Sequence, residues 1–253
     1  MGDKRGMSAS LHGLGRIALD QGNYPTAQAF YEEGLALSRE IGDKRDMACS
    51  LDGLGDIACE QSDYLATRGF YEASLALWRE MDDKWGIGVS NYNLGKLVYV
   101  QGDFATAQAL YEKSLALSRE MEDSSNTACA LFGLCLVALA QAETTAARRY
   151  LVESLKLREK LGNKRLIASN LAGLAGVAFY AGSPHRAARL AGNAEALLAS
   201  IHVKMERDVR PVYERALAKA RVALGEEAFN AAWDTGKNMT FDEAIEYALK
   251  TEE

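Results

Sequence analysis

The sequence predicts an all-α solenoid of about five stacked helix pairs, closed by C-terminal helices. Three observations carry this. The segment LGRIALDQGNYPTAQAFYEEGLALSRE, from Leu14, returns 40 residues later as LGDIACEQSDYLATRGFYEASLALWRE from Leu54, and again as LGKLVYVQGDFATAQALYEKSLALSRE from Leu94. Weaker copies start at Leu134 and Leu174, and a fixed period of this length marks stacked supersecondary units. Within each copy the apolar residues recur at three- and four-residue spacing, the period of a helix with one buried stripe. Only 3 prolines occur in 253 residues, as suits a chain of helix interiors.

The repeats are placed near 2–41, 42–81, 82–121, 122–161 and 162–201, followed by a C-terminal block over 202–253. Each repeat reads as two antiparallel helices, A and B. Helix A of the first carries Leu11, Leu14, Ile17 and Ala18, and Gly22 ends it, as Gly102 and Gly182 do later. The next position reads Asn23, Asp63, Asp103, Glu143 and Ser183; four of these five are good N-cap residues for helix B. Pro25 and Pro184 fall in the first turn, where a missing N–H is harmless. Helix B then carries Ala27, Phe30, Tyr31, Gly34, Leu35, Ser38 and Ile41. After Ile201 the register breaks. An amphipathic helix is predicted over 206–224, a short one with Phe229 and Trp233 closed by Gly236, and a last one opened by the capping box Thr240–Glu243. This block is expected to lie as a lid over the final repeat.

The columns Leu11, Leu14-Gly15, Ala18, Ala27, Tyr31 and Gly34 resemble the tetratricopeptide repeat, whose pattern is W-x2-L-G-x2-Y…A-x3-F. Leu or Asn replaces the first aromatic residue, small or apolar residues replace the mid-helix tyrosine, and the closing proline is absent. The period is 40 rather than the usual figure of about 34, as in long-repeat members of the family. The resemblance covers about residues 8–201 and fades where Leu151 and Ala191 replace the tyrosine. It implies a right-handed superhelix whose A helices line a concave groove, and a job of holding a partner.

Both ends carry further signals. GDKRGM from Gly2 matches GDKRDM from Gly42, and Met1 falls in an apolar column with Ile41, Met81, Met121, Leu161 and Ile201. The chain thus opens inside a repeat, with no polar capping helix before it. Part of an apolar face on the first helix A is expected to stay uncovered. Either the chain is the C-terminal part of a longer protein, or the open end pairs with another chain; a short frayed first turn is the plainer alternative. At the other end, LGEEAFNAAWDTGKNMTFDEAIEYAL from Leu224, preceded by RAARLAGNAEALLASI from Arg186, is similar to the terminal segment of large bacterial signal-transduction ATPases. In those regulators a nucleotide-binding domain precedes a tetratricopeptide array, often beside a LuxR-type DNA-binding domain. No GxxxxGK[ST] phosphate-binding run occurs here.

Composition narrows the classes. A net charge of −6 argues against direct nucleic-acid binding. No apolar run approaches the ~20 residues that span a bilayer, and MGDKRGMSAS lacks a secretory signal's apolar stretch. The cysteines Cys49, Cys59, Cys129 and Cys135 share columns with small or apolar residues and show no ligand spacing, so no metal or cofactor is expected and a reduced cytoplasmic location is the simplest reading.

The resemblance places two helix A columns in the groove. One reads His12, Asp52, Tyr92, Phe132, Ala172; the other Arg16, Asp56, Lys96, Leu136, Gly176, with Asn93 and Tyr99 adding to the middle. The groove therefore runs from charged to aromatic to small, and suits a partner with a basic and an apolar stretch. The alternative is that these side chains are solvated surface. Arg16, Asn93 and Lys96 are separated by Asp52 and Asp56, so the carboxylate clamp of some tetratricopeptide proteins is not reproduced. Asp52 and Asp56 share a helical face but lack a partner base, and read as an acidic patch rather than a catalytic pair. His185 and His202 read as surface. Trp78 and Trp85, near one inter-repeat turn, either pack together or anchor a partner.

The resulting expectation is a non-catalytic protein- or peptide-binding module. Its preferred setting is the sensor arm of a bacterial signal-transduction ATPase or transcription regulator, where a partner or small inducer in the groove shifts the upstream domains. The runner-up is a free-standing adaptor or peptide-pheromone receptor, and an enzyme ranks behind both.

Overall fold

The computed structural model describes residues 3–205 and 209–250, and every regular element among them is an α-helix. In chain order these are α1 (Lys4–Asp20), α2 (Tyr24–Ile41), α3 (Lys44–Glu60), α4 (Tyr64–Glu80), α5 (Lys84–Val100), α6 (Phe104–Glu120), α7 (Ser124–Ala140), α8 (Thr144–Leu161), α9 (Lys164–Tyr180), α10 (Pro184–Ser200), α11 (Arg210–Leu224), α12 (Glu226–Lys237) and α13 (Phe241–Leu249). The odd-numbered helices α1 to α9 are the A helices and the even-numbered α2 to α10 the B helices of the five repeats. Met1, Gly2 and the predicted start of the amphipathic helix at 206 lie outside the described residues. The chain divides into two compact units, Met1–Leu117 and Ser118–Glu253.

Both turns of every repeat need a residue in the left-handed region. After helix A it is Gly22, Ser62, Gly102, Ala142 or Gly182; after helix B it is Gly42, Asp82, Glu122, Gly162 or His202. Five of the ten positions are not glycine, although the conformation costs an L-residue roughly 1–2 kcal/mol. The next residue caps the following helix. Asn23, Asp63 and Asp103 accept a backbone N–H three residues on, as predicted for the B helices. Asp3, Asp43, Asp83, Asp123 and Asn163 do the same for the A helices. Ser183, read as a cap from its residue type, makes no side-chain cap bond, and Pro184 opens α10 instead.

In the first unit the core is set by tyrosines on B helices lying against glycines on A helices. A Cβ at Gly15 would come within 2.9 Å of the Tyr31 ring, and one at Gly53 would fall inside the ring's van der Waals envelope. Tyr31 is therefore wedged between the A helix of its own pair and that of the next. Around it Ala18, Ala27, Leu35, Leu51, Leu54 and Ile57 form one buried cluster. Tyr71 repeats the contact on Gly55 and Tyr111 on Gly95. Lys4–Glu40 and Lys44–Glu80, with Arg5–Asp43 and Arg45–Asp83, tie the ends of successive helices by exposed ion pairs.

In the second unit Leu151 takes the tyrosine's place and lies 3.1 Å from a Cβ at Gly173. The C-terminal helices belong to this unit. α12 crosses α10 so closely that a Cβ at Gly192 would strike the Trp233 backbone, and one at Gly236 the Arg189 backbone. Gly236 thus serves the crossing rather than ending the helix, which continues to Lys237. Tyr213 on α11 donates to the Ala191 carbonyl at 3.3 Å. The capping box at Thr240 and Glu243 opens α13. Arg186 donates to the carbonyls of Tyr247 (2.8 Å) and Lys250 (2.6 Å) at its other end.

The glycine column yields a matched pair of substitutions. A Cβ at Gly13 meets nothing within 4 Å, whereas the equivalent Gly53 faces the Tyr31 ring. Gly13→Ala should raise stability by about 0.5–1 kcal/mol through helix propensity. Gly53→Ala should lower it by about 1–3 kcal/mol through overpacking. Urea unfolding of the two variants checks this, and equal shifts of the same sign would sink the ring-in-notch account.

Candidate functional site

The groove columns of the first unit come from α1, α3 and α5. Each starts one residue after a capped turn, so positions four apart fall on the same face. On α1, His12 lies against the Tyr31 ring, centroids 5.6 Å apart, and Arg16 is exposed one turn on. The imidazole's Nδ1 is buried with no hydrogen bond. Burial and then the Arg16 charge hold this histidine below its usual range, with Asp46 pulling the other way.

On α3, Asp52 accepts a hydrogen bond from the Trp78 indole N–H at 3.4 Å, and Asp56 one from the Tyr71 hydroxyl at 2.6 Å. Both carboxylates keep part of their surface open, but Oδ1 of Asp52 is buried, with the Ser74 hydroxyl as its neighbouring donor. Burial pushes the Asp52 carboxyl up to about 7; the nearby Ser74 hydroxyl and the Trp78 N–H hold it back, and Asp56 adds to the rise. Burial raises Asp56 as well, against the opposing charge of Lys96 and the Tyr71 hydrogen bond.

On α5, Tyr92 rests against Tyr111 at 5.7 Å, and the Lys96 ammonium lies 5.9 Å from the Tyr92 ring. Tyr99 lies against Phe104 at 5.6 Å and is half-buried, and Asn93 is buried. The first unit therefore brings Arg16, Asp52, Asp56, Tyr92, Lys96 and Tyr99 out with accessible surface, on a floor of Tyr31, Tyr71, Tyr111 and Trp78.

The second unit treats the same columns differently. Phe132 and Leu136, expected to line the groove, are fully buried. The Arg158 guanidinium covers the Phe132 ring at 4.7 Å, donates to the Leu166 carbonyl at 2.8 Å and also to Asn170. Gly176, in the Leu136 column, lies against Val212 of α11. Here the columns are core.

The tryptophans separate as well. Trp78 is fully buried and fits only because Gly86 has no side chain. Trp85 meets it edge-on at 6.0 Å and keeps 39% of its surface exposed. Any anchoring surface in this pair is therefore on Trp85. Sequence reasoning missed the reach of this position on helix B. Trp78 and Arg158, two repeats apart in one column, each pass through the core to touch the groove-column residue 26 positions earlier, Asp52 or Phe132.

No cluster of three or more His, Cys, Asp or Glu that could hold a metal occurs among the described residues. Burial pushes the Cys49 thiol up to about 12 and raises Cys135 too, which suits packing rather than nucleophilic chemistry. Among the described residues no helix is long and apolar enough to cross a membrane.

Tetratricopeptide-repeat models match residues 8–41 and 46–120, so the A/B pairs of the first unit are tetratricopeptide repeats. The fold is similar to BtubC (BKLC) from P. vanneervenii, with a TM-score of 0.63 at 16% identity over 81% of this chain and 86% of that one. It is also similar to the tetratricopeptide-like repeats of a putative kinesin light chain from Podospora anserina, with a TM-score of 0.57 at 16% identity over 80% and 99% of the two chains. PilF of Pseudomonas aeruginosa gives a TM-score of 0.57 at 16% identity over 91% and 98%. No curated protein matches the sequence. Repeats of this kind suit protein–protein interaction.

Asp52 makes the site's electrostatics measurable. Its folded pKa lies above the usual 3.8, so folding favours the protonated form between about 4 and about 7, and the ionised carboxylate weighs on the fold above that window. A tenfold change in proton affinity is worth about 1.4 kcal/mol, so Asp52→Asn should stabilise the protein at pH 8 by on the order of 2–4 kcal/mol. The gain should vanish by pH 4. Urea midpoints at the two pH values check this, and a gain of equal size at both would contradict it.

Proposed function

We propose that the first unit binds a peptide segment of a partner protein along α1, α3 and α5, with a basic side chain on Asp52 and Asp56 and an apolar one beside Tyr92 and Tyr99. The observation that carries this is the Asp52 carboxylate. One oxygen is held by the Trp78 indole and the other is buried beside the uncharged Ser74 hydroxyl, with no cation against it. A lysine or arginine from a ligand adds a charged donor and offsets the burial of the charge. Tyr92, with Lys96 over its ring, offers apolar area one repeat on.

The test is a panel of fluorescein-labelled twelve-residue peptides whose halves are basic, acidic or neutral joined to aromatic. Basic–aromatic peptides should bind best by anisotropy. Asp52→Asn should weaken them at least tenfold, and affinity should rise from pH 6 to pH 8 as Asp52 ionises. Equal binding of acidic peptides, or indifference to Asp52→Asn, would end this reading.

The wider setting we infer is the sensor arm of a larger bacterial signal-transduction ATPase or transcription regulator, working in the cytoplasm. It is supported by the resemblance of Arg186–Ile201 and Leu224–Leu249 to the terminal segment of such regulators. An immunoblot of source cells against this segment discriminates: a band far above this chain's size supports the sensor arm, and a band at its own size supports the free-standing adaptor.

A further inference from the structure

A second surface lies in the second unit, on the B helix α8 rather than on the A helices of the groove. A hollow of about 580 Å³ there is lined by Arg148, Arg149 and Lys156 around Val152, with Val177 and Ala181 of α9 beyond. Glu153 also lines it, and Arg119 neutralises that carboxylate at 2.6 Å. In a chain of net charge −6, this is a basic hollow with an apolar floor.

The repeat columns mark this face as different from its counterparts. Arg149 stands where α2, α4 and α6 have Ala29, Gly69 and Ala109, and Lys156 where they have Ala36, Ala76 and Ala116. Val152 stands where they have Glu32, Glu72 and Glu112. Those glutamates hold the side chain one turn earlier: Gln28 at 2.8 Å, Arg68 at 3.8 Å and Gln108 at 2.9 Å. With valine in that place, Arg148 donates instead to the Lys250 carbonyl at 3.2 Å and helps to hold the end of α13. That contact accounts for Arg148 and Val152. It does not account for Arg149 and Lys156, both exposed, which put charge where three other B helices carry a methyl group or a hydrogen.

The spacing defines the complement. Arg149, Val152 and Lys156 stand at i, i+3 and i+7 and so share one face of α8. The two cations are about 10.5 Å apart along the axis, at about 1.5 Å per residue. An extended segment covers that distance in about three residues, whose side chains point to opposite faces. A helix covers it in seven and keeps both side chains on one face. We propose that the α8 face is a docking site for an acidic amphipathic helix of another protein, with glutamates seven residues apart on Arg149 and Lys156 and a leucine between them over Val152. Charge complementarity sets the partner's sign, and the apolar floor sets the residue between the charges. The site lies in the second unit, so it stands or falls apart from the peptide reading above.

The probe is a fluorescein-labelled, alanine-based helical peptide with Glu, Leu and Glu at i, i+4 and i+7, the antiparallel order of the α8 stripe, offered to the full chain at low salt. Two controls accompany it: one with Lys in place of both Glu, and one of the same composition with the leucine moved to the opposite side of the helix. Saturable 1:1 binding of the acidic peptide is expected by anisotropy. Arg149→Glu with Lys156→Glu should weaken it at least tenfold and turn the preference to the lysine peptide. Circular dichroism and melting temperature should not change, because both side chains are exposed. Val152→Glu, which puts back the glutamate of the other B helices, should weaken binding several-fold, as should moving the leucine. Asp52→Asn should leave it unchanged. Absence of saturable binding, equal binding of the lysine peptide, equal binding of the displaced-leucine peptide, or indifference to the double charge reversal overturns the proposal. So does sedimentation showing self-association that the double reversal abolishes, since a second copy would then hold the face.

Discussion

The ring of Tyr31 lying between Gly15 and Gly53 is the contact on which the first unit depends. A side chain on either glycine would hold the helices apart, so two consecutive A helices and one B helix share a single wedge. Close approach of this kind gives dense packing without large apolar area on any one helix. It also fixes the register of the groove columns. Because each ring enters from the B side, its far edge reaches the groove-column residues of α1, α3 and α5. The Tyr71 hydroxyl meets Asp56, Tyr31 meets His12, and Tyr111 meets Tyr92. Packing and the proposed recognition are therefore not separable: the residues that stack the repeats are the floor of the proposed binding surface.

In the second unit the same architecture is used differently. With Leu151 and Ala191 in the tyrosine column, no ring reaches the groove side, and Phe132, Leu136 and Ala172 fill that space themselves. Arg158 then occupies the core position that Trp78 has in the second repeat, and its charge is met by the Leu166 carbonyl, Asn170 and the face of Phe132. A buried guanidinium is tolerable only with partners of this kind. The accessible polar columns are thus concentrated on α1, α3 and α5.

The repeat made much of this legible in the sequence. Helix positions, the B-helix caps and the wedge residue all recur in columns, and a column is stronger testimony than any one residue. What stayed hidden is what columns average away. Ser62, Asp82, Glu122 and Ala142 take left-handed turns that their residue types disfavour, because the stacked helices on either side fix the backbone there. Phe132 and Leu136 share columns with charged residues, and only the packing around Arg158 and the neighbouring helices shows that they are core. Gly236 reads as a helix stop, but its role is a helix crossing that no local pattern announces. Leu14 and Ile17 share the spacing of core residues, and their exposure is the uncovered face that the opening repeat led one to expect.

Asp52 shows how a site can stand out against its fold. Of its column, Tyr92, Phe132 and Ala172 add packing, and His12 is held neutral by burial. Asp52 instead is buried against an indole with only the uncharged Trp78 and Ser74 donors, so its ionisation opposes folding near neutral pH. A fold under selection for stability alone would fill the position with asparagine or a second aromatic residue. A cationic ligand group reverses the balance: it stabilises the ionised form, adds a charged donor, and couples its own binding to the loss of a proton. Linkage then requires that such a ligand bind more tightly as pH rises through about 7, and that it stabilise the first unit most where the free protein is weakest.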